Sequence, residues 1–290
     1  TANLMIGAYN GGFGHLTAPE DTHVNQTQTP WHGCLADSKT LDRIGRLFRR
    51  DGEVYGPYGP FVWSHGDESL YSADPDLDWH PAALDRFRRL LAENLYPSLE
   101  ALNREWGTEY TAWDQVMPIE FAEAKQTGNF APWVTHKLSS DVIYAELYKQ
   151  AGDFIREGDP GARTGLDGDE GLHGPNSGFD WWLLSKNIQL FQSYNAKAVA
   201  QPIQSEVKRS FGPADSSTVR GLWYGAFGGS SHGRPSRIEY FHYHPWYSLL
   251  HHMNTTWFWT MGAPGPVSGY APDLTSLGFM ESQAQALAEI

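Results

Sequence analysis

Five carboxylates stand at the ends of two short segments that the sequence predicts as strands, residues 60–65 and 162–167. The acids are Asp67, Glu68, Asp167, Asp169 and Glu170. Carboxylates are unfavourable inside a buried strand, but at the carboxyl end of a barrel strand they lie among the loops that carry catalytic groups. Two such strand ends predict one acidic cleft, suited to proton transfer or to binding a cation through oxygen ligands.

Apolar runs predict six strands that would have to position these acids. The predicted strands are residues 3–9, 60–65, 162–167, 188–194, 218–227 and 255–260. They alternate with helical patterns at about thirty to fifty residues per unit, which is typical of parallel strands joined by crossover helices. We therefore predict an α/β fold of the (β/α)8 TIM-barrel class.

A closed barrel of this class has eight strands. Because only six are predicted, we expect residues 1–290 to form a single (β/α)-barrel catalytic domain segment, an incomplete piece of a longer chain that holds strands three to eight.

Helical spacing of apolar residues predicts a helix in most of the connections between strands. The predicted helices are residues 41–50, 81–96, 98–106, 140–157, 179–185, 196–209, 239–252 and 275–290. Ser38 is the predicted N-cap of the first helix, and Gly107 is the predicted end of the third.

Composition narrows the class of partner. The net charge of −13 argues against a nucleic-acid backbone, which needs clustered Lys and Arg, and favours a neutral substrate. No window approaches twenty consecutive apolar residues, so no membrane span is predicted. Aromatic residues make up 14% of the chain, and their rings either stack on sugars or fill a thick barrel core.

No cofactor is predicted. A Gly-rich phosphate motif after a strand and a Gly-x-Ser-x-Gly motif are both absent from the sequence. The spacings of His242, His244, His251 and His252 match no zinc-ligand pair, so no metal is expected from them. The chain begins at Thr1 without methionine, which favours a processed or excised N terminus and leaves a secreted or periplasmic location open. A homo-oligomer also stays open.

Residues 66–118 resemble the β-galactosidase-like barrels of glycoside hydrolase family 42 and their relatives in clan A. The resemblance rests on Gly66-Asp67-Glu68 at a strand end and on the segment 96–110, where Leu102-Asn103 is followed by Trp106-Gly107-Thr108. Segments 180–194 and 244–251 are also similar to barrel relatives. The resemblance implies a carbohydrate substrate with a β-linkage, galactosides first, and a role for Glu68 as the acid/base residue.

One departure from the family concerns the nucleophile. Clan A enzymes carry a glutamate at the end of the seventh strand, which should correspond here to residues 218–227, and that segment contains no acid. Tyr224 occupies that neighbourhood, and Glu239 lies too far along the chain. The retaining mechanism of the family therefore does not carry over unchanged.

Glycoside hydrolysis usually requires two carboxyl groups, one of which protonates the leaving oxygen. We assign Glu68 as proton donor and Asp67 as the neighbour that orients it or raises its pKa. For the second carboxylate the order of preference is Glu170, Asp169 and Asp167. The alternative is that these acids hydrogen-bond sugar hydroxyls or backbone amides, or hold a cation.

The other candidate substrate-binding residues stand near predicted strand ends. They are His65, Tyr194, Tyr224, Trp257 and Trp259, together with Asp67 and Asp167. Trp257 and Trp259 alternate along the last strand and face the same side, either as the floor of a sugar site or as core filling.

Two other functions stay open beside a glycosidase. The first is a barrel that has lost its nucleophile and binds glycans without turnover. The second is a metal-dependent hydrolase that uses the cluster of Asp167, Asp169 and Glu170.

Overall fold

The computed structural model describes residues 8–9, 34–67, 71, 79–169, 179–194, 201–213, 217–225, 238–259 and 277–290. Six strands lie in these ranges. They are β1 (Ala8–Tyr9), β2 (Trp63–Asp67), β3 (Thr164–Asp169), β4 (Leu190–Tyr194), β5 (Val219–Gly225) and β6 (Thr255–Trp259). All neighbouring pairs are parallel, and the order in the sheet is the order in the chain.

This strand order decides between the two common parallel architectures. A doubly wound sheet reverses its order at a switch point, whereas in a (β/α) barrel each strand is added on the same side of the one before. The barrel class of fold and the predicted strands are therefore confirmed, except that residues 3–7 of the first predicted strand lie outside the described residues.

Nine helices lie in the described ranges of the chain. They are α1 (Ser38–Tyr55), α2 (Pro81–Leu90), α3 (Leu99–Trp106), α4 (Phe121–Thr127), α5 (Ala131–Gly158), α6 (Trp181–Leu184), α7 (Gln201–Phe211), α8 (Ile238–Leu250) and α9 (Leu277–Glu289). A π-helical turn, Leu91–Leu95, extends α2. No described helix is long and apolar enough to cross a membrane.

Several helix boundaries differ from the sequence prediction, and α1 runs to Tyr55 instead of ending at residue 50. The N-cap of α1 is Asp37 rather than Ser38, because the Asp37 carboxylate accepts from the Thr40 N–H at 3.3 Å. Helix α5 begins at Ala131 rather than at residue 140. Its first turns bury polar side chains such as His136 and Lys137, which interrupt the apolar period that sequence reading relies on. Helix α4 was not predicted.

Segment 96–110, which carries the most specific resemblance, folds as a compact helix and turn that packs against Phe87 of α2. Asn103 holds it together, since its Oδ1 accepts from the Tyr110 N–H and the Thr108 hydroxyl, both at 2.9 Å, and its Nδ2 donates to Tyr110 O at 2.8 Å. The Trp106 indole donates to the Tyr96 hydroxyl at 2.9 Å. Gly107 ends α3 with φ of 68°, as predicted. These residues therefore have a structural role.

The sheet packs against α1 and α5, which bury a continuous apolar cluster with β2 and β3. The two helices meet at glycines near their carboxyl ends. A Cβ on Gly52 would lie 2.5 Å from Ile155 O, and a Cβ on Gly158 would overlap the backbone of Gly52 and Glu53. Since Gly158 and Gly52 have ordinary backbone angles, it is the close approach of the helices that requires glycine.

The contact between α1 and α5 gives a stability prediction. Gly158→Ala should lower the free energy of unfolding by about 1–3 kcal/mol, because the added methyl forces the two helix backbones apart. Gly161→Ala is the matched control, since its Cβ would lie 3.8 Å from its nearest neighbour, Asp159, and should change stability by less than about 0.5 kcal/mol. Denaturant unfolding of both variants measures the difference, and equal effects would contradict this account of the contact.

Candidate functional site

The carboxyl ends of β2 to β6 form one edge of the sheet, which we call the carboxyl edge. Each of these five strands ends at, or within one residue of, a predicted site residue. In strand order these are Asp67, Asp169, Tyr194, Tyr224 and Trp259. Because the strands are parallel and successive, the five backbone positions follow one another along a single edge.

The acid-bearing strands are direct neighbours. Asp67 on β2 is the Cα partner of Asp167 on β3, and Asp169 on β3 is the partner of Ser193 on β4. Adjacent strands lie about 4.8 Å apart, so the backbones of Asp67 and Asp167 are as close as the sheet allows. The structure therefore brings two of the predicted acids together from segments one hundred residues apart in the sequence.

Both acid-bearing strands are irregular just where the acids begin. Between Ser64 and Asp67, β2 has one more residue than β3 has between Gly165 and Asp167, and β3 is irregular in the same way against β4 between Leu166 and Asp169. Such bulges re-aim the following side chains and are common beside active sites. Each irregular stretch contains an isolated glycine, Gly66 or Gly168, which in a strand often marks a bulge.

Glu68 and Glu170 lie outside the described residues, although each immediately follows a described strand in the sequence. Tyr71, three residues after Glu68 in the sequence, is fully buried and packs edge-on against Tyr144 of α5 with ring centroids 6.2 Å apart.

The structure places His65 away from the carboxyl edge. Its imidazole is completely buried on the helix-facing side of β2, between Phe48 of α1 at 5.0 Å and Tyr148 of α5 at 6.0 Å. Burial lowers the pKa of His65 from 6.5 to about 3, with a further contribution from the charge of Arg156. This position favours a packing role over the predicted contact with substrate.

The side chain of Trp257 also packs away from the carboxyl edge. Its indole N–H donates to Thr255 Oγ1 at 2.8 Å, and its ring covers Gly221 so closely that a Cβ there would lie 2.5 Å from Trp257 Cδ1. It packs against the buried cluster of Val62, Leu190 and Val219. Of the two interpretations left open for Trp257, these contacts favour core filling.

In the described part of the chain, no three His, Cys, Asp or Glu residues are grouped so that they could hold a metal ion. His242 is one of the four histidines whose spacings match no zinc-ligand pair. Its Nε2 lies 2.9 Å from a carboxylate oxygen of Glu289 in α9.

One titratable residue was missed by sequence analysis. Burial raises the pKa of Asp141 on α5 from 3.8 to about 7, while the charge of Lys137 opposes this rise and that of Asp180 adds to it. The signal that was overlooked is the Lys137–Asp141 spacing of four residues, which places both side chains on one face of the helix.

No protein-family model and no curated protein match this sequence. Solved structures do match. They include the β-galactosidase from Bacillus circulans sp. alkalophilus (13% identity, TM-score 0.66, 98% of this chain and 46% of that chain). A catalytic mutant of the GH42 β-galactosidase from G. stearothermophilus also matches (15%, 0.64, 96% and 43%), as does the catalytic domain of β-amylase from Paenibacillus polymyxa (14%, 0.52, 86% and 69%).

These similarities establish the fold. At such low identity they confirm the resemblance to the β-galactosidase-like barrels as a similarity of architecture. The chain spans less than half the length of the β-galactosidases that it matches.

The position of His65 predicts how stability depends on pH. The unfolded chain takes up a proton here below about pH 6.5, whereas the folded protein excludes it down to about pH 3. Stability from the neutral imidazole is therefore complete above pH 6.5 and is lost as the pH falls, by about 2 kcal/mol between pH 7 and pH 5.

His65→Gln keeps a polar side chain that does not titrate, so its free energy of unfolding should fall by about 2 kcal/mol less than that of the parent over this interval. The control is His252→Asn, which removes an exposed imidazole at φ of 61°, a conformation that Asn tolerates. Denaturant unfolding at pH 7 and pH 5 measures both. A parent and a His65→Gln variant with the same pH dependence would refute the assignment.

Proposed function

We propose that this protein is a glycoside hydrolase that cleaves β-linked glycosides by carboxylate acid/base catalysis, with β-galactosides as the first substrates to test. The observation that carries the proposal is the carboxyl edge, where acids stand on two adjacent strands and Tyr194, Tyr224 and Trp259 stand on the next three. In barrel enzymes this is the edge that holds the active site. The β-galactosidase fold supports the same function.

In the proposed mechanism Glu68 protonates the leaving oxygen. A second carboxylate, Glu170 first and Asp169 next, acts on the opposite face of the sugar ring, either as nucleophile or as base for a water molecule. Asp67 is the neighbour of Glu68 in the chain, and its charge would hold the pKa of the proton donor high. Asp167, paired in register with Asp67, would bind sugar hydroxyls.

The aromatic residues of the edge would bind the sugar. Tyr194 and Trp259 would offer flat apolar faces for the C–H side of a pyranose ring, and Tyr194 would add a hydroxyl for a hydrogen bond. Trp257 would support this surface from below through its contact with Gly221. Tyr224 is a weaker candidate, because Tyr194 is paired with Trp223 and Trp259 with Gly225, so strand alternation assigns Tyr224 to the opposite face of the sheet.

A second candidate function follows from β5. Its residues, Val219–Gly225, include no acid, although the clan A resemblance leads one to expect the nucleophile there. A barrel without this group would bind glycans and not cleave them. The two functions differ in turnover, which is directly measurable.

The test is hydrolysis of a panel of aryl β-glycosides, galactosides included, by the full-length protein. Glu68→Gln keeps the size of the side chain but removes its proton, so kcat should fall about 100-fold or more. Glu109→Gln is the control, because it makes the same change at an exposed position after α3 and should leave kcat unchanged.

Each outcome has a distinct meaning. Full activity of Glu68→Gln would remove Glu68 from the mechanism. Sugar binding without turnover by the parent would favour the glycan-binding function. Loss of activity in the presence of a chelator would instead indicate that Asp167, Asp169 and Glu170 bind a cation.

A further inference from the structure

Two adjoining cavities lie on the helix layer, and we call them together the outer groove. The first, about 630 Å³, is lined by the amino-terminal part of α5 and by α6; the second, about 400 Å³, is lined by the residues that precede β4 and β5. Trp182 of α6 and Phe211 of α7 line both cavities, so the groove is continuous past these two rings.

The second cavity lies at the opposite end of the strands from the carboxyl edge. Gln189 stands immediately before β4, and Thr218 immediately before β5. A strand of five residues is about 16 Å long, so this cavity and the carboxyl edge are separated by at least that distance. The second cavity is therefore separate from the proposed catalytic site, and no residue of a described strand lines the first cavity.

The centre of the groove is aromatic and open to solvent. Trp182 is 62% exposed and Phe211 is 39% exposed, although both are large apolar side chains. The Lys186 ammonium lies 4.2 Å from the Trp182 ring centroid and restricts the indole through a cation–π contact. An exposed, oriented indole is a suitable platform for the apolar face of a sugar ring.

The first cavity also has a polar part. Asp141 and Lys137 of α5 line it together with Asp180, whose Oδ1 already accepts from the Leu183 N–H at 3.0 Å. Because burial raises the pKa of Asp141 to about 7, its carboxyl group both donates and accepts hydrogen bonds near neutral pH. Such a group suits neutral hydroxyls, which also donate and accept.

We propose that the outer groove is a second carbohydrate-binding site, which takes a linear oligosaccharide with its rings stacked on Trp182 and Phe211 and its hydroxyls bonded to Asp141 and Lys137. The groove volume is in the range of small-molecule sites. The choice of a galactosyl ligand rests on the proposed function, whereas the geometry of the groove does not depend on it.

The test is an equilibrium titration by calorimetry with a hexasaccharide of β-linked galactose. The full-length protein carries Glu68→Gln to prevent turnover. We expect two binding sites in this background and a loss of at least about 10-fold in affinity at one of them when Trp182→Ala is added. Tyr58→Ala is the control, since Tyr58 is 84% exposed and lies outside the groove; it should leave both sites intact.

Asp141→Asn provides a second variant that preserves volume and should weaken the same site several-fold. If Trp182→Ala and Asp141→Asn leave both affinities unchanged, the inference is overturned. If the parent shows a single site that Trp182→Ala removes, the groove is confirmed while the carboxyl edge, and with it the proposed hydrolase, loses support.

A protein partner would give a different result. The exposed rings would then be covered by another polypeptide or a second copy of the chain. In that case Trp182→Ala would reduce the sedimentation coefficient of the full-length protein and leave oligosaccharide binding unaffected, which would also overturn the inference.

Discussion

The register of the parallel strands is the constraint on which the rest of the molecule depends, and it is fixed at their amino ends. Arg156 of α5 donates to Gln189 Oε1 at 2.6 Å and to Ala162 O at 3.2 Å, so one guanidinium ties the starts of β3 and β4 together. Before β6, Asn254 accepts from the Arg220 N–H and donates to Thr218 O, as a peptide group would. A slip of one residue would exchange the two faces of a strand. The arrangement at the carboxyl edge is thus determined at the opposite end of the sheet.

With this register, the bulges in β2 and β3 change the alternation of side chains just before the acids. In a regular strand, side chains two residues apart lie on the same face. The acid two residues after His65 would then face the helices, as the buried Trp63 and His65 do. The extra residue of the bulge interrupts this alternation between the buried packing residues and the acids that follow them. Two neighbouring strands with the same irregularity at their first acids therefore support a common site more strongly than either cluster does alone.

The sequence was sufficient for the strands and their order, because apolar runs and alternating helices are local signals. It was insufficient for His65, since a strand buried on both faces shows no alternation that tells the helix side from the barrel side. The start of α5 was missed because buried polar residues such as Lys137 disguise a helix face. The outer groove was unpredictable for another reason: Asp141, Trp182 and Phe211 come from three helices and meet only in the folded chain.

Segment 96–110, which carries the most specific resemblance to the family, gives the least information about catalysis. Asn103 and Thr108 bond within residues 96–110, whereas Trp106 bonds to Tyr96 and also stacks on Phe87 of α2. All of these are folding contacts, which an enzyme and a binding protein would need alike. The proposed catalysis would instead depend on carboxylates at strand ends, where β5 lacks the expected acid. Among the described strands, β3 is the neighbour of β2 that also brings acids to the carboxyl edge, which is why Glu170 and Asp169, at its end, are the proposed second carboxylates. The distance of the second carboxylate from Glu68 would then decide between retention and inversion.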